Sequence, residues 1–162
     1  MTSPLPTSIA ALLASIALLG GCSGTESNPD AAPASAALTD TLLVDNAWMR
    51  PAPAGGVTAL YLNLRNHYPT ADTVHAVETP VSRRTELHQT VHNADGTTGM
   101  RPLENGLPLP PDTLTTLHPG GPHVMIYDVD PALVIGDSVQ ITLQLGIGPR
   151  TLTVPVRPTP PQ

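Results

Sequence analysis

Imidazole and thioether side chains occur together in one short stretch of the sequence, Pro122-His123-Val124-Met125-Ile126. In an extended strand, residues two apart project from the same face, so His123 and Met125 are predicted to lie side by side. Val124 and Ile126 then project from the opposite face and contribute to a hydrophobic core. A His and a Met that share one face form half of a metal site.

A second pair of such side chains lies upstream. The stretch Glu86–His92 also alternates, which places His88 on one face of a predicted strand. Met100 follows a turn rich in Asn, Asp and Gly, on the predicted return strand of a hairpin. The chain contains only four Met, and Met100 and Met125 both belong to these stretches. A core that used Met as a filler would scatter it more widely.

The types of ligand indicate which metal is bound. Thioether sulfur is soft and prefers Cu(I), whereas Zn(II) favours Cys, His and carboxylates, and Ca(II) and Mg(II) favour oxygen. The only cysteine is Cys22, so the domain has no thiolate and a blue-copper electron-transfer site is excluded. We therefore predict a Cu(I) site formed by His88, Met100, His123 and Met125, with at least one sulfur near the surface for ligand exchange.

Short alternating segments must position these ligands. Leu60, Leu62 and Leu64 alternate with polar or aromatic residues, and similar runs recur near the C-terminus. Gly- and Pro-rich turns separate the runs, as at Pro119-Gly120-Gly121-Pro122 and in the loop 108–112. This period of two predicts an all-β fold, an antiparallel β-sandwich or small barrel of about seven or eight strands.

The N-terminal residues differ from the rest of the chain. Ile9–Leu19 is an apolar run too short to span a bilayer, and it ends in Leu19-Gly20-Gly21-Cys22, which resembles a bacterial lipobox. We predict export to the cell envelope or periplasm and lipidation of Cys22, with the lipid anchor as the only membrane contact. The predicted segments are a lipoprotein signal peptide (1–21), the lipidated Cys and a flexible tether (22–37), a copper-binding domain (38–157) and a Pro-rich tail (158–162).

Composition excludes two classes of function. The net charge is −6, and the cations are seven Arg with no Lys, so no basic patch could neutralise several phosphates of a nucleic acid. Hydrolase chemistry finds no support, because no Gly-x-Ser-x-Gly and no paired-carboxylate motif is present. The chain is predicted not to be an enzyme.

Taken together, these motifs resemble the periplasmic copper chaperones of the PCu(A)C family. That family has a His, a Met twelve positions later and a His-x-Met after roughly twenty more residues. His88 and Met100 are twelve apart, and the interval to His123 is one residue longer than the pattern. The stretches 45–50, 61–66, 86–88, 100–103 and 119–125 stand in the family's order.

The resemblance implies a cupredoxin-like β-sandwich that binds Cu(I) and passes it to an apo copper protein, such as cytochrome oxidase or one of its assembly factors. Two departures are present: Gln89 stands where many members have Met, and the tail 158–162 lacks the His and Met that take a second copper in some members. We expect a monomer.

Alternatives remain open at the level of the sequence. The chain could instead be a metal-independent binding module of the cell envelope or a general periplasmic copper buffer. A copper enzyme is disfavoured by the lack of a thiolate and of further His clusters. His92 and His118 are interpreted as solvated side chains, with an auxiliary role at the site as the alternative.

Overall fold

A computed structural model describes residues 41–161 of the chain. The predicted signal peptide, the lipidation site Cys22 and the predicted tether lie outside the described residues. Within 41–161 the regular elements are all β-strands, and this part contains no helix that is long and apolar enough to cross a membrane.

Ten strands build the described domain. In chain order they are β1 (Leu42–Met49), β2 (Thr58–Asn66), β3 (Asp72–Glu78), β4 (Arg84–His92), β5 (Thr98–Pro102), β6 (Leu107–Leu109), β7 (Thr113–Leu117), β8 (Pro122–Tyr127), β9 (Ser138–Leu145) and β10 (Arg150–Pro155).

The strands form two antiparallel sheets. The first runs in the order β1-β2-β8-β4-β5, and β7 also pairs with β2. One edge of β2 is therefore shared, with β8 pairing to its first residues and β7 to its last. The second sheet runs in the order β10-β9-β3-β6. The predicted all-β antiparallel fold is confirmed.

Side-chain alternation builds the core between the sheets. Leu60, Leu62 and Leu64 of β2 are buried in one hydrophobic cluster with the inward residues of β9. Val124 and Ile126 of β8 belong to the same cluster. Because neighbours along a strand point to opposite faces, burying Val124 and Ile126 turns the residues between them to the outer face of the first sheet.

The strand count is higher than the seven or eight expected from alternation. One reason is β6, which lies within a Pro-rich region that reads as a loop in the sequence. Leu107 and Leu109 are buried in the core, while Pro108 is exposed and pairs in register with Thr73 of β3. Since β6 is the edge strand of its sheet, Pro is tolerated there despite lacking an N–H donor.

Two turns set the positions of the strands that carry the predicted ligands. The β4–β5 hairpin closes through a hydrogen bond from Asn93 N to Thr97 O (2.8 Å). Between β7 and β8, Gly121 N donates to His118 O over 3.0 Å, with Pro119 second and Gly120 third in the turn. Gly120 has φ of +81°, a conformation that Gly adopts without strain, and this order is typical of a type II turn.

Candidate metal centre

Strand register brings the four predicted ligands to one face of the first sheet. His88 of β4 lies directly opposite His123 of β8, and Met125 lies opposite Glu86. On the other side of β4, Met100 of β5 lies opposite Thr90. Residues directly opposite each other in an antiparallel pair project from the same face, so both sulfurs are diagonal neighbours of the His88 side chain.

The two imidazoles are buried close together. His88 is 8% exposed and His123 is 4% exposed. Their ring centroids are 6.1 Å apart and the ring planes meet at 81°. Burial of two polar rings on an outer sheet face is costly unless their nitrogens find partners.

His123 has its tautomer set by the turn before it. Its Nδ1 lies 2.9 Å from the carbonyl oxygen of Gly121, which accepts only, so Nδ1 carries the proton and donates it. The same carbonyl accepts hydrogen bonds from the N–H (3.3 Å) and the hydroxyl (3.0 Å) of Thr90. Nε2 of His123 is thereby left with its lone pair available to a metal ion.

His88 has the opposite tautomer. Its Nε2 lies 2.9 Å from Oε2 of Glu86, and the carboxylate accepts the Nε2 proton. Nδ1 then carries the lone pair, and this buried atom has no hydrogen-bond partner among the residues that the structure describes. Such an unpaired buried acceptor is expensive in a resting protein and is what a metal ion would relieve.

Glu86 is itself held from two sides. Arg84 contacts Oε1 through two guanidinium nitrogens at 3.0 Å, and the hydroxyl of Tyr127 donates to Oε2 over 3.3 Å. The hydrogen bond from Arg84 is the main cause that lowers the pKa of the Glu86 carboxyl, and the hydrogen bonds from His88 and Tyr127 act in the same direction. Glu86 is therefore ionised at neutral pH and fit to orient His88.

The two sulfur residues differ in exposure. Met125 is half-buried and packs against a small cluster of Trp48, Ala59 and Tyr61 on the outer sheet face. Met100, on the edge strand β5, is 56% exposed. One sulfur side chain is thus packed against neighbours, and the other is largely exposed to solvent.

An open cavity of about 400 Å³ lies over this face of the sheet. Met100, His123 and Met125 contribute to its wall, whereas His88 is buried and does not line it. The wall also contains Tyr61, whose ring centroid is 6.4 Å from that of His123 and whose pKa is raised by burial, an effect that the charge of Arg50 partly offsets. Among the residues 41–161 that line the wall, Arg50 is the only one with a charged side chain.

Sequence reasoning gave Tyr61 no function at the site and left two interpretations of Arg50. Arg50 could form part of a rim near the site, although an Arg that bridges strands was favoured, and its guanidinium lies 5.8 Å from the Tyr61 ring centroid at the cavity. Tyr61 and Trp48, directly opposite on β2 and β1, stack with centroids 4.7 Å apart. Period-two alternation on β2 was the available signal, since it places Tyr61 on the face opposite Leu60.

The two remaining histidines near the site do not line the cavity. His92 is exposed at the end of β4, with Nδ1 3.3 Å from the Thr98 hydroxyl. His118 is also exposed, and its ring covers Gly121 so closely that a Cβ there would lie 2.3 Å from the His118 Nε2. His118 thus packs against the turn whose carbonyl orients His123.

The donor atoms of this face are neutral and include soft sulfur. Two imidazole lone pairs and two thioethers suit a soft monovalent ion better than a hard cation. Over residues 41–161 there is no group of three or more His, Cys, Asp or Glu side chains that could hold a metal ion in the usual way.

Solved structures share this fold. The apo PCuAC domain of PmoF1 superimposes with a TM-score of 0.59 at 24% sequence identity, over 72% of this chain and 92% of that one. The solution structure of CuI-DR1885 from Deinococcus radiodurans gives a TM-score of 0.54 at 29% identity, over 76% of this chain and 79% of that one. The predicted resemblance to PCu(A)C proteins is confirmed.

Sequence comparisons agree with the structural ones. Lxx21020 of Leifsonia xyli subsp. xyli, which bears a lipoprotein name, is 27% identical over 119 residues, or 73% of this chain and 70% of that protein. A family model, that of the LpqE-like lipoproteins, matches residues 42–156, the whole of the described sandwich. The chain belongs to the LpqE-like family.

Proposed function

We propose that this chain binds one Cu(I) ion and delivers it to an apo copper protein. The ligands are Nδ1 of His88, Nε2 of His123 and the sulfurs of Met100 and Met125. Cu(I) is the cargo rather than a permanent cofactor, and assembly of the copper centres of cytochrome oxidase is the destination that the PCu(A)C resemblance suggests.

The observation that carries this proposal is the unpaired Nδ1 of His88. Its ring shares a sheet face with His123, and each ring donates through one nitrogen to a fixed acceptor. Each ring therefore has its other nitrogen available as the atom that would bind a metal ion. The buried Nδ1 of His88 has no hydrogen-bond partner within the described residues, and a metal ion would supply one.

The relatives support the choice of metal. The Deinococcus radiodurans structure CuI-DR1885 is a Cu(I) form, and it is 29% identical to this chain. A second neighbour, the PCuAC domain from PmoF2, is copper-bound. The thioether pair gives an independent chemical reason for the reduced ion, because soft sulfur stabilises Cu(I).

The difference between the two sulfurs supports transfer rather than permanent storage. Ligand exchange needs at least one ligand that leaves easily while the others hold the ion. Met100 is exposed on an edge strand, whereas Met125 is packed against Trp48 and Tyr61. Met100 is therefore the ligand proposed to leave first.

The N-terminal region supports a location in the cell envelope. The lipobox-like Leu19-Gly20-Gly21-Cys22, membership of the LpqE-like family and the lipoprotein name of a relative all favour an exported, lipid-anchored protein. Lipidation at Cys22 would leave about twenty residues before β1, enough for a flexible tether.

Anaerobic titration of the full chain with Cu(I) against a competing chelator tests the proposal. We expect one equivalent of Cu(I) to bind. Met100→Leu and Met125→Leu should each lower the Cu(I) affinity by at least about tenfold, because loss of a residue that merely hydrogen-bonds to a metal ligand already has an effect of that size. Met49→Leu is the matched control, because Met49 is fully buried in the core and a swap of similar volume should leave Cu(I) binding unchanged.

Two other outcomes would point elsewhere. Absence of binding, or equal affinity in all three variants, would favour the metal-independent envelope module. If the chain binds Cu(I) tightly but releases it to an apo copper domain of cytochrome oxidase no faster than to solution alone, that result would favour a general copper buffer.

A further inference from the structure

The cavity over the ligand face has an unusual charge pattern. Among the wall residues that the structure describes only Arg50 is charged, although the whole chain carries 13 acidic and seven basic side chains. No carboxylate among the described residues lies within ion-pair distance of Arg50. The cavity is thus lined by neutral groups and one uncompensated cation.

Arg50 is held in place by its own backbone and by an aromatic ring. Its N–H donates to Ala59 O over 3.2 Å, and its carbonyl accepts a 2.6 Å hydrogen bond from the Thr58 hydroxyl. The guanidinium lies 5.8 Å from the Tyr61 ring centroid, within the range of a cation–π contact. The two hydrogen bonds fix the main chain of Arg50, and the cation–π contact places its exposed guanidinium at the cavity, beside the ring that neighbours His123.

We infer that the cavity admits a cysteine thiolate of the acceptor protein, drawn in by Arg50, and this inference rests on the proposed function. A thiolate is anionic, which complements the lone guanidinium, and soft, which suits Cu(I). A carboxylate would satisfy the charge but is a hard ligand, and a thioether or imidazole would satisfy the metal but carries no charge. Only a thiolate matches both features.

The exchange step balances without any redox change. The acceptor thiol first loses its proton to water, and the thiolate sulfur then forms a bond to Cu(I). The bond between Cu(I) and the Met100 sulfur breaks, and Met100 swings out at the edge strand. Copper stays in the +1 state throughout, and its positive charge is neutralised by the incoming sulfur.

Copper-loaded full chain and two synthetic acceptor peptides test this inference. One peptide carries two cysteines and otherwise uncharged residues, and the other has Met and His in their place. We expect Arg50→Gln to slow transfer to the cysteine peptide by about threefold to tenfold, as loss of one nearby charge that water screens implies. Transfer to the Met/His peptide should change by less than about twofold.

Two further variants separate charge from structure. Arg50→Lys keeps the cation and should restore most of the rate with the cysteine peptide. Arg101→Gln removes an exposed Arg next to Met100 that does not line the cavity, and it should behave as wild type. Raising the salt concentration should narrow the gap between wild type and Arg50→Gln, because salt screens partly exposed charges.

The possible failures are distinguishable. If the wild-type chain does not bind Cu(I), the proposed function is wrong. If it binds Cu(I) but gives none to the cysteine peptide, or if Arg50→Gln slows both peptides equally, the thiolate inference is wrong and the proposed function stands.

Discussion

The two faces of the first sheet are built from the same strands but have different roles: one packs in the core and the other presents possible metal ligands. The inner face presents Leu60, Val124 and Ile126 to the core, and each is almost completely buried. The outer face presents His123 and Met125, which alternate with those core residues along β8. A single strand thus supplies packing on one side and donor atoms on the other.

The two faces therefore contribute to different free energies: the inner face to the free energy of unfolding, and the outer face to the free energy of copper binding. Inner-face side chains stabilise the fold through burial of apolar surface. Outer-face imidazoles carry an unpaired buried nitrogen, which stabilises nothing in the empty protein and favours a bound ion. Substitutions on the inner face should therefore change stability, and those on the outer face should change copper affinity.

The largest expected effect lies on the inner face. Leu60→Ala should lower the free energy of unfolding by about 2–5 kcal/mol, because Leu60 is fully buried and its removal leaves a cavity. Met100→Ala, on the outer face and exposed, should cost no more than about 0.5 kcal/mol. Urea denaturation of the apo proteins measures both, and similar losses in the two variants would contradict the division between the faces.

A smaller effect is expected at the residue that orients His88. Glu86→Gln removes the charge that accepts the Nε2 proton, and Cu(I) affinity should fall by about tenfold to 100-fold. Nitrogen-detected NMR of the His88 ring should show a mixture of tautomers in place of one. Glu78→Gln, an exposed site on β3, is the control and should alter neither measurement. An unchanged His88 tautomer in Glu86→Gln would refute this role.

The smallest effect is expected at the turn that orients His123. Gly121→Ala places a Cβ against the His118 ring, which is exposed and able to move, so the cost should be about 1 kcal/mol or less. His118→Ala removes the obstacle, and in the double variant stability should recover. Thermal unfolding of the four proteins in this cycle measures the coupling, and additive effects would show that the two residues do not interact.

Much of the fold followed from local pattern. The alternation of Leu60, Leu62 and Leu64 predicted both a strand and its buried face, and the hairpin that leads to Met100 followed from its turn residues. Strand β6 was missed because three residues around Pro108 are too few to show a period. Its pairing depends on β3, more than thirty residues earlier in the chain.

The four ligand candidates were identified from residue type, scarcity and spacing, and their binding of copper remains a prediction. From the sequence, Glu86 shares a predicted strand face with His88 and could orient it, although an ordinary surface charge was the favoured interpretation. Its hydrogen bond to His88 lies within β4, but its support by Tyr127 depends on β4 pairing with β8. For Arg50 the sequence offered only a place on a possible rim near the site, since nothing near it in the sequence relates it to His123.

The sequence by itself determined which atoms are available: two imidazoles, two thioethers and no thiolate in the domain, on strands whose alternation separates them from the core. Only the tertiary structure decided that His88 faces His123, which nitrogen of each ring is free, and that one guanidinium stands at the cavity. The physical reason is register. A slip of one residue between β4 and β8 would turn one strand's donors to the opposite face, and register is set by core packing between strands distant in sequence.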